Sequence, residues 1–371
     1  HIKIDDEGGV LFGDSFDIPE LAESTIEPIE PVQAISASDT FKLHSKPGAT
    51  NVIYIDVDGH SFSNTAWSSA TINARAFDTD GNAAAFSSTE LAQIAEIWHR
   101  IAEDYAPFDT DVTTEEPAHF GSTTGRILIT HNKDVSGGDM PYSSGGGVAY
   151  VNVWGRSNYA SYYSPALVYY NNLASYAPYI SEAASHEMGH NLGLSHDGTS
   201  TASYYTGHGS GFVSWGAIMG VGYYTNVTQW SKGEYSGASM QQDDIQIISN
   251  HLSMRADDHG NDIFNPTSLL VDAQGNINSS SPETDPALWN GGSCIVIRTP
   301  SGASSRVTAT VQDITMTGGK GTDIIEDSNH NGSFSDQGGI TLTEAGTAWA
   351  GERFDIFGAA TVNSVSVYSI N

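Results

Sequence analysis

Cysteine is nearly absent from this chain: one residue, Cys294, in 371. No internal disulfide can form, so the fold has to rest on a packed core, for which the length is ample. Cys294 lies in the apolar run Gly292–Ile297 and reads as a small core residue of a buried strand. Positive charge is scarce as well. Lys and Arg total 14 against 44 Asp and Glu, a formal net charge of -30. That balance excludes nucleic acid and anionic membrane as partners, because phosphate binding needs a basic face. It fits a soluble, salt-exposed, secreted protein, and it leaves many oxygen ligands for calcium. No apolar run approaches the ~20 residues that span a bilayer. The chain opens at His1 without a charged-then-apolar leader, so a signal peptide is expected to have been removed or left out.

What is present is concentrated in one stretch, His186-Glu187-Met188-Gly189-His190-Asn191-Leu192-Gly193-Leu194-Ser195-His196-Asp197. On a helix, His186 and His190 stand about one turn apart on one face, so both imidazoles reach a single metal ion. Glu187 sits beside the first ligand and can hold the proton of a metal-bound water. Gly193 suits the stop of that helix, where a left-handed position costs glycine nothing, and the turn it permits swings His196 back toward the metal. Three nitrogen ligands leave a fourth tetrahedral position open, the arrangement of a catalytic rather than a structural zinc.

The spacing H-E-x-x-H-x-x-G-x-x-H resembles the signature of the metzincin metallopeptidases, and Asp197 directly after the third histidine is closest to the adamalysin/reprolysin branch. The resemblance implies an α/β (α+β) catalytic domain with a mixed sheet and an active-site helix over roughly 45–257. It also implies a Met-turn, which Met219 in Trp215–Gly220 matches. Several metzincins place a tyrosine two residues after that methionine; here the position is Val221, which makes Tyr223 the candidate. The strand preceding the zinc helix in such enzymes is the sheet edge that pairs with an extended substrate, a place taken here by Gly147–Val153.

Taken in order, residues 1–44 are acidic and rich in Pro and Ser, an extended segment without a core of its own. A flexible leader is one reading. The other rests on Leu11-Phe12-Gly13-Asp14, which resembles the F-x-G-D pattern of astacin-type propeptides with Leu in place of Phe; Asp14 would then be a latency residue. Val52–Val57 and Arg126–Thr130 read as strands. Asp78–Asn82 is a turn and a candidate ion site. Ser87-Ser88-Thr89-Glu90 is a capping box opening a helix whose apolar stripe runs from Leu91 to Tyr105, with His99 beside it as a packed histidine. Ser181 is the expected N-cap of the zinc helix, and Ser239-Met240-Gln241-Gln242 the capping box of a last helix marked by Ile245, Ile248 and Leu252.

Residues 258–371 change character to short strands and turns, an all-β, sandwich-like domain. Within it Gly318–Glu326 fits a calcium β-roll nonapeptide once, whereas a roll needs stacked copies, so it reads as a glycine-rich turn. Asp327, Asn329, Asn331 and Asp336 space oxygens like an EF-type loop, without the closing Glu, as a candidate calcium site.

These readings converge on a secreted, monomeric, zinc-dependent endopeptidase acting on extracellular proteins and peptides, with His186, His190 and His196 on zinc and Glu187 as general base. A latent zymogen held by its N-terminal segment is one alternative; a catalytically silent calcium-dependent adhesion or binding protein is the other.

Overall fold

A computed structural model describes residues 2–5, 8–14, 39–209 and 214–256, and beyond these only the backbone of short strands. The chain divides into two units, His1–Arg255 and Ala256–Asn371.

The first unit is built on a seven-stranded mixed sheet. In chain order its elements are β1 (Ile2–Ile4), β2 (Val10–Asp14), β3 (Asn51–Asp56), β4 (Ser61–Phe62), β5 (Ile72–Asn73), α1 (Ser88–Asp104), β6 (Thr110–Thr113), β7 (Thr124–Thr130), β8 (Gly147–Tyr150), β9 (Ala166–Tyr169), α2 (Ala177–Asn191), β10 (Trp215–Ala217), β11 (Val227–Gln229) and α3 (Asp244–Leu252). The sheet order is β1-β2-β8-β9-β7-β3-β6. β9, β7, β3 and β6 run parallel, whereas β1, β2, β8 and β9 are successively antiparallel. Every residue of β7 is buried, as a central parallel strand covered on both faces must be. β4 and β5 form a separate small hairpin, and β10 pairs with β11 in parallel.

α1 is an amphipathic helix. Its capping box is in place: Glu90 N–H donates to Ser87 Oγ while Glu90 Oε2 accepts from Ser87 N–H at 2.8 Å. Ile94, Ile97, Trp98 and Ile101 face the core, each worth ~1.5–3 kcal/mol on full burial. His99 is a packed histidine against Trp98, and burial, aided by Arg100, lowers its pKa to about 4. The Asp78–Asn82 turn is held by Asp78 Oδ1, which accepts from Gly81 N–H at 2.6 Å.

α2 differs in kind, because all of its residues are buried. It is therefore enclosed, and its small residues Ala183, Ala184, Ser185 and Gly189 let it lie between the sheet and α1. The two helices are tied where Tyr105 Oη donates to Ser185 O and Ser185 Oγ to Asp104 Oδ2, at 2.9 and 2.5 Å. Its N-cap is Tyr176 with Pro178 in the first turn, so Ser181 is an interior residue, its hydroxyl donating back to Pro178 O. Proline's fixed φ starts the helix where a capping side chain was expected. Likewise Asp243, not Ser239, caps α3, by accepting from Gln246 N–H.

β8 stops at Tyr150, three residues short of the expected strand. Asn152 takes φ 57°, and the N–H groups of Asn152 and Val153 turn to the terminal carbonyls of α2, His190 O and Asn191 O. Nor is β8 an edge. β2 occupies that place, bringing part of the acidic N-terminal segment into the sheet.

In the second unit the backbone shows a five-stranded sheet that includes Ser293–Arg298 and Ser364–Ser369, and a three-stranded sheet that includes Gly332–Ser335 and Gly339–Leu342. The side chains of Cys294, Asp327, Asn329, Asn331 and Asp336 lie outside the described residues, as does the Gly318–Glu326 nonapeptide.

Candidate active site

The centre is assembled at the C-terminal end of α2. The helix ends in a Schellman turn: Gly193 N–H donates to His190 O and Leu194 N–H to Gly189 O, at 2.9 and 3.0 Å. Gly193 has φ 106°, which a side chain would strain. Past the turn, Ser195 N–H is fixed by Gln242 Oε1, so Gln242, expected in a capping box, holds this loop instead. Asp197 N–H donates to Met219 O at 2.8 Å. Between these two anchors His196 is brought back over the helix.

The three imidazoles meet edge to edge, with His186, His190 and His196 ring centroids 4.8–5.2 Å apart. Their orientation is set from behind. His186 Nδ1 meets Ile218 O and His190 Nδ1 meets Leu194 O, each at 2.8 Å. A carbonyl only accepts, so Nδ1 carries the proton in both rings and Nε2 faces inward. Burial lowers the pKa of His190, and burial together with its imidazole neighbours takes His196 to about 3, so both rings are neutral at pH 7. His190 and His196 Nε2 stand 3.0 Å apart.

A carboxylate closes the group. Asp14, fully buried, places Oδ1 2.9 Å from His196 Nε2 and Oδ2 3.3 and 3.4 Å from His190 and His186 Nε2. Burial pushes its pKa up, but the three imidazoles outweigh this and hold it well below the ordinary carboxylate range. Ligand atoms from all four residues lie within 4.8 Å of one another. Converging nitrogen lone pairs and one carboxylate, taken out of water together, form a donor set that fits a divalent cation, and the N₃O composition suits zinc.

Glu187 sits one residue after His186, entirely buried, its Oε2 without a hydrogen-bond partner among the described residues. Burial first and the Asp14 charge second raise its pKa well above the ordinary value. Gly147 of β8 lets this carboxyl approach: a Cβ there would stand 2.3 Å from Glu187 Oε1. Met219 is fully buried beneath the site, its sulfur against Gly189 of α2. Asp197 is buried too and accepts from Tyr235 Oη at 3.2 Å; burial raises its pKa to about 6.

Two tyrosines stand by the centre: the expected Tyr223, within electrostatic reach of Glu187 and Asp14, and one the sequence does not single out. Tyr223, in a 3₁₀ turn at Gly222–Tyr224, packs against Tyr179 with its hydroxyl toward Gly146. Tyr204 instead lays its ring 4.5 Å from that of His196 and donates its hydroxyl to Asp14 Oδ1 at 2.7 Å. Nothing in the sequence marked Tyr204, which is one tyrosine in the Gly/Ser/Tyr-rich loop after His196. Only its distance from the third histidine, eight residues, hinted that it could fold back.

Residues 109–197 match the family model described as Metallo-peptidase family M12B Reprolysin-like. The matched segment runs from β6 to the end of the histidine motif and takes in Glu187 and Asp197. No curated protein and no solved structure matches the chain. Together with the metal-competent group at Asp14, His186, His190 and His196, the match is consistent with a metzincin-like, reprolysin-type metallopeptidase over that segment.

Proposed function

We propose that this chain, a metallopeptidase of the reprolysin-like type over its matched segment, is a secreted zinc endopeptidase held latent by its own N-terminal strand. The reading is carried by one observation: three imidazoles converge on one point that Asp14 fills from β2, with Glu187 alongside.

His186, His190 and His196 hold the metal in the active form. Zinc bound there supplies Lewis acidity, making a water acidic near neutral pH and polarising the carbonyl to be attacked. Glu187 takes the proton of the attacking water and passes it to the departing amine. Tyr204, freed of Asp14, donates its hydroxyl to the oxygen that replaces the carboxylate and gains charge as the carbonyl is attacked. Met219 and the carbonyls of Ile218 and Leu194 keep the imidazoles oriented, so little reorganisation accompanies the reaction. The β8 main chain, paired with β2 here, is the template for an extended peptide once β2 leaves. Among the described residues no helix is long and apolar enough to cross a membrane. The strong acidity of the chain suits an extracellular location. The second unit is read as an accessory β-sandwich-like domain, and its Asp327–Asp336 loop as a calcium site.

The test is digestion of denatured protein by the zinc-loaded full chain, beside its Asp14→Ala and Glu187→Gln variants. Asp14→Ala is expected to raise cleavage at least about tenfold, since it removes the carboxylate that occupies the position a catalytic site keeps open. Adding Glu187→Gln to it should keep zinc stoichiometric and lose ~10²–10⁴ in rate. Undiminished cleavage by that double variant would overturn the assignment.

A further inference from the structure

The N-terminal strand enters the site as a peptide would, and its fit is specific position by position. β2 runs antiparallel to β8 in the register Leu11↔Tyr150, Phe12↔Ala149, Gly13↔Val148 and Asp14↔Gly147. Its main chain is held at both ends: Val151 N–H donates to Val10 O at 2.8 Å and Gly146 N–H to Asp14 O at 2.7 Å. Gly147, opposite Asp14, is the residue that abuts Glu187. Residue 14 is therefore the one at the catalytic centre, and residues 11–13 are those that precede it along the strand.

Alternation then separates the side chains. Phe12 shares a face with Asp14 and lies on the imidazoles, stacked on His190 with ring centroids 4.7 Å apart and 4.3 Å from His196. Leu11 and Gly13 point the other way. Leu11 is 6 % exposed and joins the apolar core. At Gly13 there is no room for a side chain: a Cβ would stand 2.3 Å from Cδ1 and 3.0 Å from Cγ of Tyr142. Tyr142 sits on a loop whose main chain is tied down. Gly145 N–H donates to its carbonyl, Asn132 and Asn172 donate to Ser143 O, and Asn172 donates again to Gly145 O at 2.6 Å.

We propose that β2 is a mould of the substrate: the cleft along β8 takes an extended peptide with an aliphatic residue, an aromatic residue and glycine, in that order, before the residue at the catalytic centre, and Tyr142 is the residue that reserves the third of these positions for glycine. The proposal rests on the peptidase reading above. The chemistry is that of strand addition, in which main-chain bonds give general affinity for peptides and the alternate side-chain sites give selectivity. The aliphatic site is an opening into the core, the aromatic site is a platform of imidazoles, and the glycine site is closed by a ring.

Two measurements on the full chain test it. In the zinc-loaded Asp14→Ala variant, cleavage of a peptide library mapped by mass spectrometry should enrich aliphatic–aromatic–Gly on the N-terminal side of the cut, ending at the cleaved bond or one residue before it. Matched peptides with Ala for that Gly should lose about tenfold or more in kcat/KM, as one misplaced carbon in a fitted pocket does. Tyr142→Ala in the same chain should bring the Gly/Ala ratio toward one. Independently of activity, Gly13→Ala in the otherwise unaltered chain should raise hydrogen exchange at residues 10–14, and Gly13→Ala with Tyr142→Ala should restore protection. Equal cleavage of Gly and Ala peptides, an unchanged ratio in Tyr142→Ala, or unaltered exchange in Gly13→Ala would overturn the proposal. If Asp14→Ala binds zinc and cuts nothing, the peptidase reading is what has failed, and the exchange pair alone decides whether Tyr142 gates the glycine position.

Discussion

The candidate active site draws on two regions that differ in how they reach it. The segment His186–Asp197 brings three imidazoles and Glu187 within one helix and one turn, with Ile218, Met219 and Gln242 fixing their orientation from behind. Strand β2 brings one carboxylate from the far end of the chain, and does so only because β8 offers it a pairing edge. A local device holds its parts together even while the surrounding fold fluctuates, because the ordering entropy of a short turn is small. A remote part is held by the sum of many weak contacts and can be released as a unit. The difference teaches why the proposed ligands and base are contiguous, whereas the group proposed to block them arrives from elsewhere.

The comparison can be broken at its tertiary side first. Tyr204, like Asp14, comes from outside the histidine segment, and the proposed mechanism gives its hydroxyl to the reacting oxygen. In the Asp14→Ala background, Tyr204→Phe should lower kcat by ~10²–10³ while zinc content stays stoichiometric by elemental analysis. A fall in KM-dependent rate alone, with kcat intact, would make Tyr204 a clamp for Asp14 and nothing more.

The local side is probed by Gly193→Ala. The φ of 106° there is denied to alanine, so unfolding by denaturant should show a loss of about 1–2 kcal/mol. Zinc affinity should fall with it, because His196 hangs on that turn. A variant as stable as the parent, with zinc affinity unchanged, would show that the Gln242 and Met219 anchors place His196 unaided.

The smallest effect comes from the histidine outside the site. His99 is neutral in the fold, its pKa lowered from an unfolded value near 6.5 to about 4. The unfolded chain thus takes up this proton first as pH falls, and the stability tied to the neutral ring is lost from about pH 6.5 down toward pH 4. His99→Phe should flatten the fall in denaturation midpoint between pH 7 and pH 5. An unchanged slope would assign that acid sensitivity to the centre or to His60, whose pKa burial also lowers to about 4.

How much was legible varies with the reach of the interaction. The capping box at Ser87 and Glu90 and the apolar stripe of α1 were readable, because both act within a few residues. The start of α2 was misplaced at Ser181, since a helix buried on all sides carries no amphipathic boundary and Pro178 marks it more quietly than a capping side chain. Gln242 looked like half of a capping box but serves Ser195, a contact 47 residues away that no local pattern encodes. Proximity to Met219 points to Tyr223 and gives no sign of Tyr204, because a loop's return path is a matter of packing.

By itself the sequence determined the donor chemistry: two imidazoles a helical turn apart, a carboxyl beside the first, a glycine to reverse the chain and a third imidazole after it, all fixed by the 3.6-residue period and the left-handed preference of one residue. Only the tertiary structure decided what faces those donors. Asp14, Tyr204 and Tyr142 come from three separate segments, and they meet because an antiparallel strand closes the β8 edge and two loops pack over it, contacts whose energy is shared across the whole sheet rather than written at any one spacing.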